Sequence, residues 1–263
     1  MQKTGKSFEQ VLKDAQNSGY AETNPKSDLN GEDVSSKIKI LSSLCFKSLI
    51  SKNSILTSGI ENIGIKDIKA TRRLGYKVKL LGITEIINKK IFERVHPSLV
   101  KSDSYIGNIN GVFNAVIIKA KPVGQSVMQG EGAGPGPTTS SLISDLYSIL
   151  RGNIKNPFII PFKKRKSIKS FNSENYSFSC YFRFEVKDKP GVLSSITKIL
   201  AENKISIESL IQNPDKKKKT ASIIIISHKT LEKHMTKCLK SLQKNKNVIK
   251  KPTFIRVGNF NDD

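Results

Sequence analysis

Four carboxylates, Glu22, Asp28, Glu32 and Asp33, gather just ahead of Lys37 in a chain that is otherwise strongly basic, with 45 Lys and Arg against 22 Asp and Glu and a formal charge of +23. Asp33 and Lys37 stand at i and i+4. Val34, Ile38, Leu41, Cys45 and Leu49 keep helical spacing up to Ile50, so a helix begins near Asp33 and both side chains project from one face toward a common ligand. A carboxylate at a helix N-terminus is favoured by the helix dipole and suits a cationic group on a ligand. A lysine beside it can take a proton from an alcohol oxygen or return one. Taken alone, such a pair is a solvated surface contact contributing under about 1 kcal/mol.

Two further stretches have types and spacing that suit binding. Residues 124–136 hold five glycines and lead into helical spacing at Leu142, Ile143, Leu146, Ile149 and Leu150. Such a loop brings backbone N–H groups close to a ligand because glycine has no Cβ, and the helix start adds unpaired donors. The dinucleotide spacing G-x-G-x-x-G after a first strand is absent. The second stretch is the turn from Asp188 to Gly191, which feeds a helix start where free N–H groups could receive an anionic group. His96, isolated ahead of a proline, is read as a turn or core residue and left out of the site. Tyr20 and Asn114 lie near motifs without an assignable role. Cys45, Cys180 and Cys238 are odd in number, with no C-x-x-C pair, which argues against a disulfide framework or a zinc site; no metal is expected.

The elements that must position these residues follow from periodicity. Residues 7–18 carry Phe8, Val11, Leu12 and Ala15 on one helix stripe, ended by Gly19. Residues 21–32 read as a loop, 61–74 as a short loop and helix, and three strands follow in "YKVKLLGITEI", "IFERVHP" and "GVFNAVIIKA". Residues 151–175, with seven basic residues up to Lys169, read as a solvated connector. Beyond it come a strand "FSCYFRFEV", a helix at 190–204, a strand "ISIESLIQ", a turn "NPDKKKK", a strand "TASIIIIS", a helix at 231–243 and a final strand "VIKKPTFIRV". That order, βαββαβ, is the ferredoxin-like arrangement.

RNA-binding modules share this order, and a charge of +23 would suit them. An RNA-recognition sheet, however, stacks bases on central aromatic residues, and residues 221–226 offer only aliphatic ones. Their isoleucines call for burial against another subunit. The basic residues are spread over the whole chain, so lysine is read as filling solvated positions; neither nucleic acid nor a membrane is expected as a partner. The chain of 263 residues suits two modest domains. No stretch approaches 18 consecutive apolar residues and no apolar signal core opens the chain, so a soluble, unprocessed protein in a reduced, cytoplasmic setting is expected.

The run "SFEQVLKDAQNSGYAETNPKSDLNGEDVSSKIKIL", followed in order by "RVHPSLV", "GVFNAV" and "GEGAGPGPT", resembles the C-terminal part of homoserine dehydrogenases. "FEVKDKPGVLSSITKILAENKISIESLIQ" resembles an ACT domain, the small ligand-sensing module that many of these enzymes carry after the catalytic part. The resemblance implies an α+β protein: a helix-and-sheet catalytic and dimerisation domain over residues 1–151, N-terminally incomplete, a basic linker over 152–176, and a βαββαβ ACT domain over 177–257. It implies interconversion of homoserine and aspartate semialdehyde with NAD or NADP, on the route to threonine, methionine and isoleucine. It further implies that Glu22 and Asp33 bind substrate, that Lys37 is the proton donor and acceptor, and that the backbones of Gly19 and Gly134 touch the cofactor. At the ACT part it implies threonine as effector, near Asp188 and Gly191.

The family opens with a nucleotide-binding Rossmann domain, and this sequence shows none. A fragment, an internally started chain or one half of a split enzyme is therefore expected, inactive alone and leaving apolar surface uncovered. A homodimer, or a separate nucleotide-binding chain, would complete it. The alternative is a non-catalytic, amino-acid-sensing regulatory chain.

Overall fold

A computed structural model describes Met1 and residues 4–49, 55–153, 160–215 and 217–258. Ser7 opens the first helix, α1 (Phe8–Asn17): its hydroxyl accepts from the Gln10 N–H while the Gln10 side chain accepts from the Ser7 N–H, a capping box. Gly19 closes it. At φ +72° it lets the Tyr20 N–H reach the Ala15 carbonyl while its own N–H reaches that of Gln16, the Schellman pattern. The expected loop at 21–32 contains a short helix, α2 (Lys26–Asn30), because Pro25 starts a turn whose carbonyl accepts from the Asp28 and Leu29 N–H groups. Gly31, at φ +86°, then turns the chain directly into α3 (Glu32–Phe46). That helix stops at Lys47, and Ile50 lies outside the described residues.

After β1 (Leu56–Thr57) and α4 (Ile65–Arg73), β2 (Tyr76–Ile87) and β3 (Lys90–Lys101) form a long hairpin. Asn88 and Lys89 close it at positive φ, as a two-residue turn requires. A short helix, α5 (Tyr105–Asn108), leads to a second hairpin of β4 (Phe113–Ala120) and β5 (Gly124–Glu131), and then to α6 (Pro135–Leu150). The expected glycine loop at 124–136 is thus corrected. Its first eight residues pair one for one with β4, whose Val116, Ile117 and Ile118 supply the strand preference the glycines lack.

The C-terminal part keeps the expected order: β6 (Ser177–Lys187), α7 (Val192–Glu202), β7 (Ile207–Asp215), β8 (Thr220–Ser227), a two-residue β9 (Thr230–Leu231), α8 (Glu232–Gln243) and β10 (Thr253–Val257). Asn213, Pro214 and Asp215 extend β7 rather than turning, since they pair with Ser222, Ala221 and Thr220. Strand alternation sends Phe182, Phe184, Ile223 and Ile225 to one face, where Ile196, Leu200, Met235 and Leu242 of α7 and α8 cover them. Tyr181 and Ile224 face the other way. That second face does not wait for another subunit, because Ile63 and Ile68 at α4, with Leu99 of β3, bury it within this chain.

The two parts share one sheet, ordered β1-β3-β10-β6-β8-β7 with β2 also on β3. The seam between them is the short parallel pairing of Arg256 with Ser98 and Val257 with Leu99. The expected solvated connector at 151–175 is partly docked. Residues 154–159 lie outside the described residues, but the Ile91 N–H bonds the Lys169 carbonyl, the Phe171 N–H bonds that of Ile91, and the Phe171 ring meets Phe92 edge-on. The start of β3 would otherwise be an open strand edge, and these bonds close it.

Candidate active site

On α3, Lys37 Nζ lies 2.7 Å from Asp33 Oδ2, with 61% of the lysine side chain and 39% of the aspartate exposed. The pair is therefore open to a ligand. The helix beneath it is seated without freedom. Asp33 and Lys37 each precede an apolar residue, Val34 and Ile38, and both of these press on Gly82 of β2: a Cβ there would lie 2.9 Å from Val34 Cγ1 and 3.3 Å from Ile38 Cβ. Gly31, at the helix start, sits on Thr57 and Val95 with equally little room.

The other expected residues divide. Glu22 is exposed on the loop after α1, held through its carbonyl by Gln16 Nε2 at 3.0 Å, and its carboxylate makes no ion pair or hydrogen bond among the described residues. The structure does not bring it into contact with Asp33 or Lys37. Gly134 lies against Tyr20, the residue that follows Gly19. Gly134, at φ +111°, starts α6, and a Cβ on it would stand 3.7 Å from the Tyr20 ring. Asp188 and Gly191 lie on an exposed turn; the Asp188 N–H bonds the Lys219 carbonyl at 3.0 Å, and Gly191, at φ +82°, starts α7 with no side-chain cap.

His96 is a core residue. It is 5% exposed, its Nδ1 lies 3.0 Å from both the Pro97 carbonyl and Ser98 Oγ, and burial, with Arg256 next, pushes its pKa down to about 3. The imidazole therefore stays neutral at ordinary pH. Among the described residues no cluster of His, Cys, Asp or Glu is arranged to hold a metal ion, and no helix is long and apolar enough to cross a membrane.

The chemistry at Gly19 and Gly134 fits a backbone contact to a nucleotide from one side. Gly19 has open space where a Cβ would stand, and α6 begins without a side-chain cap. Of its first residues, Pro135 and Pro137 have no N–H and Thr138 bonds back to the Gly134 carbonyl at 3.3 Å, which leaves the Gly136 N–H as a donor without an acceptor among the described residues. One donor and two bare glycines make an edge of a site, not a crevice.

The sequence pattern of the homoserine dehydrogenase family matches residues 1–147, and that of the ACT domain matches residues 181–247. The chain belongs to the homoserine dehydrogenase family. It is 34% identical to the homoserine dehydrogenase of Neisseria gonorrhoeae and 37% identical to that of Helicobacter pylori, over 100% and 98% of this chain and 62% and 61% of theirs. A crystal structure of a homoserine dehydrogenase from Thiobacillus denitrificans, 33% identical, superposes with a TM-score of 0.85 over 98% of this chain and 60% of that one. The chain thus spans about six tenths of the length of these homoserine dehydrogenases. Its fold is that of the family, with an ACT domain at the C-terminal end.

One surface stands out beside the glycines. No residue of α6 is buried, and Leu142, Ile143, Leu146, Tyr147, Ile149 and Leu150 are each 46–73% exposed. Residues 122–150 contain no Lys or Arg, although the chain has 45 of them. The exposed apolar face of α6 is thus free of the lysines that fill solvated positions elsewhere in the chain. Gly82 and Gly31 are the positioning residues that the sequence reading passed over; a lone glycine inside a strand pattern is the available signal of close approach.

Proposed function

We propose that this chain supplies the substrate-side part of a homoserine dehydrogenase, interconverting L-homoserine and L-aspartate 4-semialdehyde with NAD(P) in the cytoplasmic synthesis of threonine, methionine and isoleucine. The exposed Asp33–Lys37 pair on a rigidly seated helix carries this reading. Family members use NAD(P), which when bound takes up or returns the hydride.

Asp33 receives the substrate ammonium, and in doing so gives up its contact with Lys37. Released from that pair, Lys37 gives its own proton to solvent and, as the neutral amine, turns to the substrate oxygen and takes the hydroxyl proton in oxidation; as the ammonium it donates one in reduction. Glu22 adds negative charge from the loop before α2. Gly19 and Gly134 present bare backbone to the nucleotide, and the cofactor-bearing unit lies against the lysine-free face of α6. That unit belongs to a partner or to a part outside these 263 residues, which contain no G-x-G-x-x-G. A homodimer is the default assembly.

Calorimetric titration with NADPH, together with an assay of aspartate semialdehyde reduction with and without an added nucleotide-binding unit, tests this. We expect no turnover alone and turnover on complementation, lost in Lys37→Ala without change in melting. Turnover by the chain alone with micromolar NADPH affinity would remove the need for a second unit, and complemented turnover that survives Lys37→Ala would remove the role given to that lysine.

A second reading is a regulatory chain that senses an amino acid. It is favoured by the ACT domain and by the uncapped start of α7 at Gly191, where the backbone between Asp188 and Gly191 would hold the carboxylate of a ligand such as threonine. Binding of threonine in a chain that cannot be complemented for turnover would support it.

A further inference from the structure

The seam between the two parts is stitched by one carboxylate. Glu232, the first residue of α8, lies between two guanidinium groups. Its Oε1 accepts from Arg256 Nη2 at 2.7 Å, and its Oε2 lies 2.6 Å from Arg94 Nη2, an ion pair that is off the hydrogen-bond axis. Arg256 belongs to β10 and Arg94 to β3, so the carboxylate joins the C-terminal part to the strand beneath the candidate site. Arg94 is 1% exposed, stands over the rings of Phe92, Tyr176 and Phe178, and has no hydrogen-bond partner for Nε or Nη1 among the described residues. Glu232 is therefore the group that fixes where Arg94 sits.

The next residue along β3 is Val95, which strand alternation sends to the opposite face. Val95 is fully buried, is the register partner of Gly82 on β2, and its Cγ1 would lie 3.2 Å from a Cβ on Gly31. Its carbonyl also accepts from the Ser58 N–H at 2.9 Å. Gly31 starts α3 two residues before Asp33, and Gly82 seats Val34 and Ile38. One dipeptide therefore has the C-terminal part on one side and the seat of the Asp33–Lys37 face on the other.

We propose that Arg94, Glu232 and Val95 are positioning residues: Glu232 sets Arg94, the shared backbone sets Val95, and Val95 sets the first turns of α3 against Gly31 and Gly82. The placement of α8 is thereby felt at the Asp33–Lys37 face through a single residue step rather than through the length of the sheet. This rests on reading that face as the site. The test needs no substrate, so its failure and the failure of the Lys37 assignment are separate results.

Hydrogen exchange of the full chain, read by mass spectrometry, measures the coupling. Glu232→Gln keeps the shape and removes the charge. Exchange over residues 31–38 should quicken about tenfold, together with that of α8, while α4, packed on the same sheet away from Val95, holds its rate. Should Glu232→Gln fail to fold, Val95→Ala carries the test: it leaves the ion cluster whole, so residues 31–38 should quicken about tenfold while α8 does not change. Equal quickening across α3, α4 and α8 in Glu232→Gln would show a merely structural role and overturn the proposal. So would an unchanged α3 in Val95→Ala.

Discussion

His96 makes the stability of this chain depend on pH below neutrality, starting above the range where carboxylates protonate. Its ring is 5% exposed beside the guanidinium groups of Arg256 and Arg94, and its pKa falls from 6.5 to about 3, chiefly through burial. The unfolded chain takes up a proton on this ring near pH 6.5, whereas the folded chain does not until about pH 3. The stabilising contribution is thus complete above pH 6.5 and drains away as pH falls toward 3. Each pH unit inside the window costs about 1.4 kcal/mol, so moving from neutrality to about pH 5 costs about 2 kcal/mol. That is a large part of the roughly 5–15 kcal/mol that holds an ordinary domain together. Urea unfolding at pH 7, 6 and 5 measures it, the upper part of the window lying above the range where carboxylates protonate. In His96→Asn the midpoint should be lower at pH 7, from lost packing, and should then fall less between pH 7 and 5 than in the parent. A flat parent curve, or an equal slope in the variant, would refute the assignment.

Two substitutions probe how the parts are joined and how α3 is turned. Asp67 of α4 is wholly buried, accepts from Arg183 Nε at 2.5 Å and Nη2 at 3.0 Å, and also takes the Gly64 N–H at 3.1 Å. Asp67→Asn leaves the guanidinium of β6 without its counter-charge and should cost about 3–5 kcal/mol in denaturant unfolding, whereas a loss below about 1 kcal/mol would mean that water reaches the pair. Gly59 packs on the end of α2, where a Cβ would stand 1.9 Å from the Leu29 carbonyl oxygen and 2.5 Å from Asn30 Cα. Gly59→Ala must push the end of α2 away from residue 59 and should cost about 3 kcal/mol; a thermal melt unchanged from the parent would show that the contact yields freely.

How far the sequence discloses this molecule depends on how local the signal is. Helix α1, with its Ser7 box and Gly19 stop, and the βαββαβ order are legible because caps and periodicity act within a few residues. The Asp33–Lys37 pair is legible for the same reason, one helical turn separating them. Glu22 is a harder case. Its nearness to the pair in sequence says nothing of where a loop held by Gln16 will carry it, and the structure leaves its carboxylate in solvent. The joint between the parts is not legible at all. Arg94, Glu232 and Arg256 look like surface charges in a chain of +23, and only the register of Arg256 on Ser98 brings the three together, with Arg94 over the rings of Phe92, Tyr176 and Phe178. Two guanidinium groups buried on one carboxylate are a poor way to gain stability, since apolar residues of the same volume would hold the parts at least as well. What the charged cluster provides that an apolar one does not is a fixed position. A short two-pair seam can slip, and a carboxylate that must face both arginines allows one register only. The same logic explains why Val95 can carry that register across to α3: a fully buried side chain facing a glycine on each side has nowhere else to go.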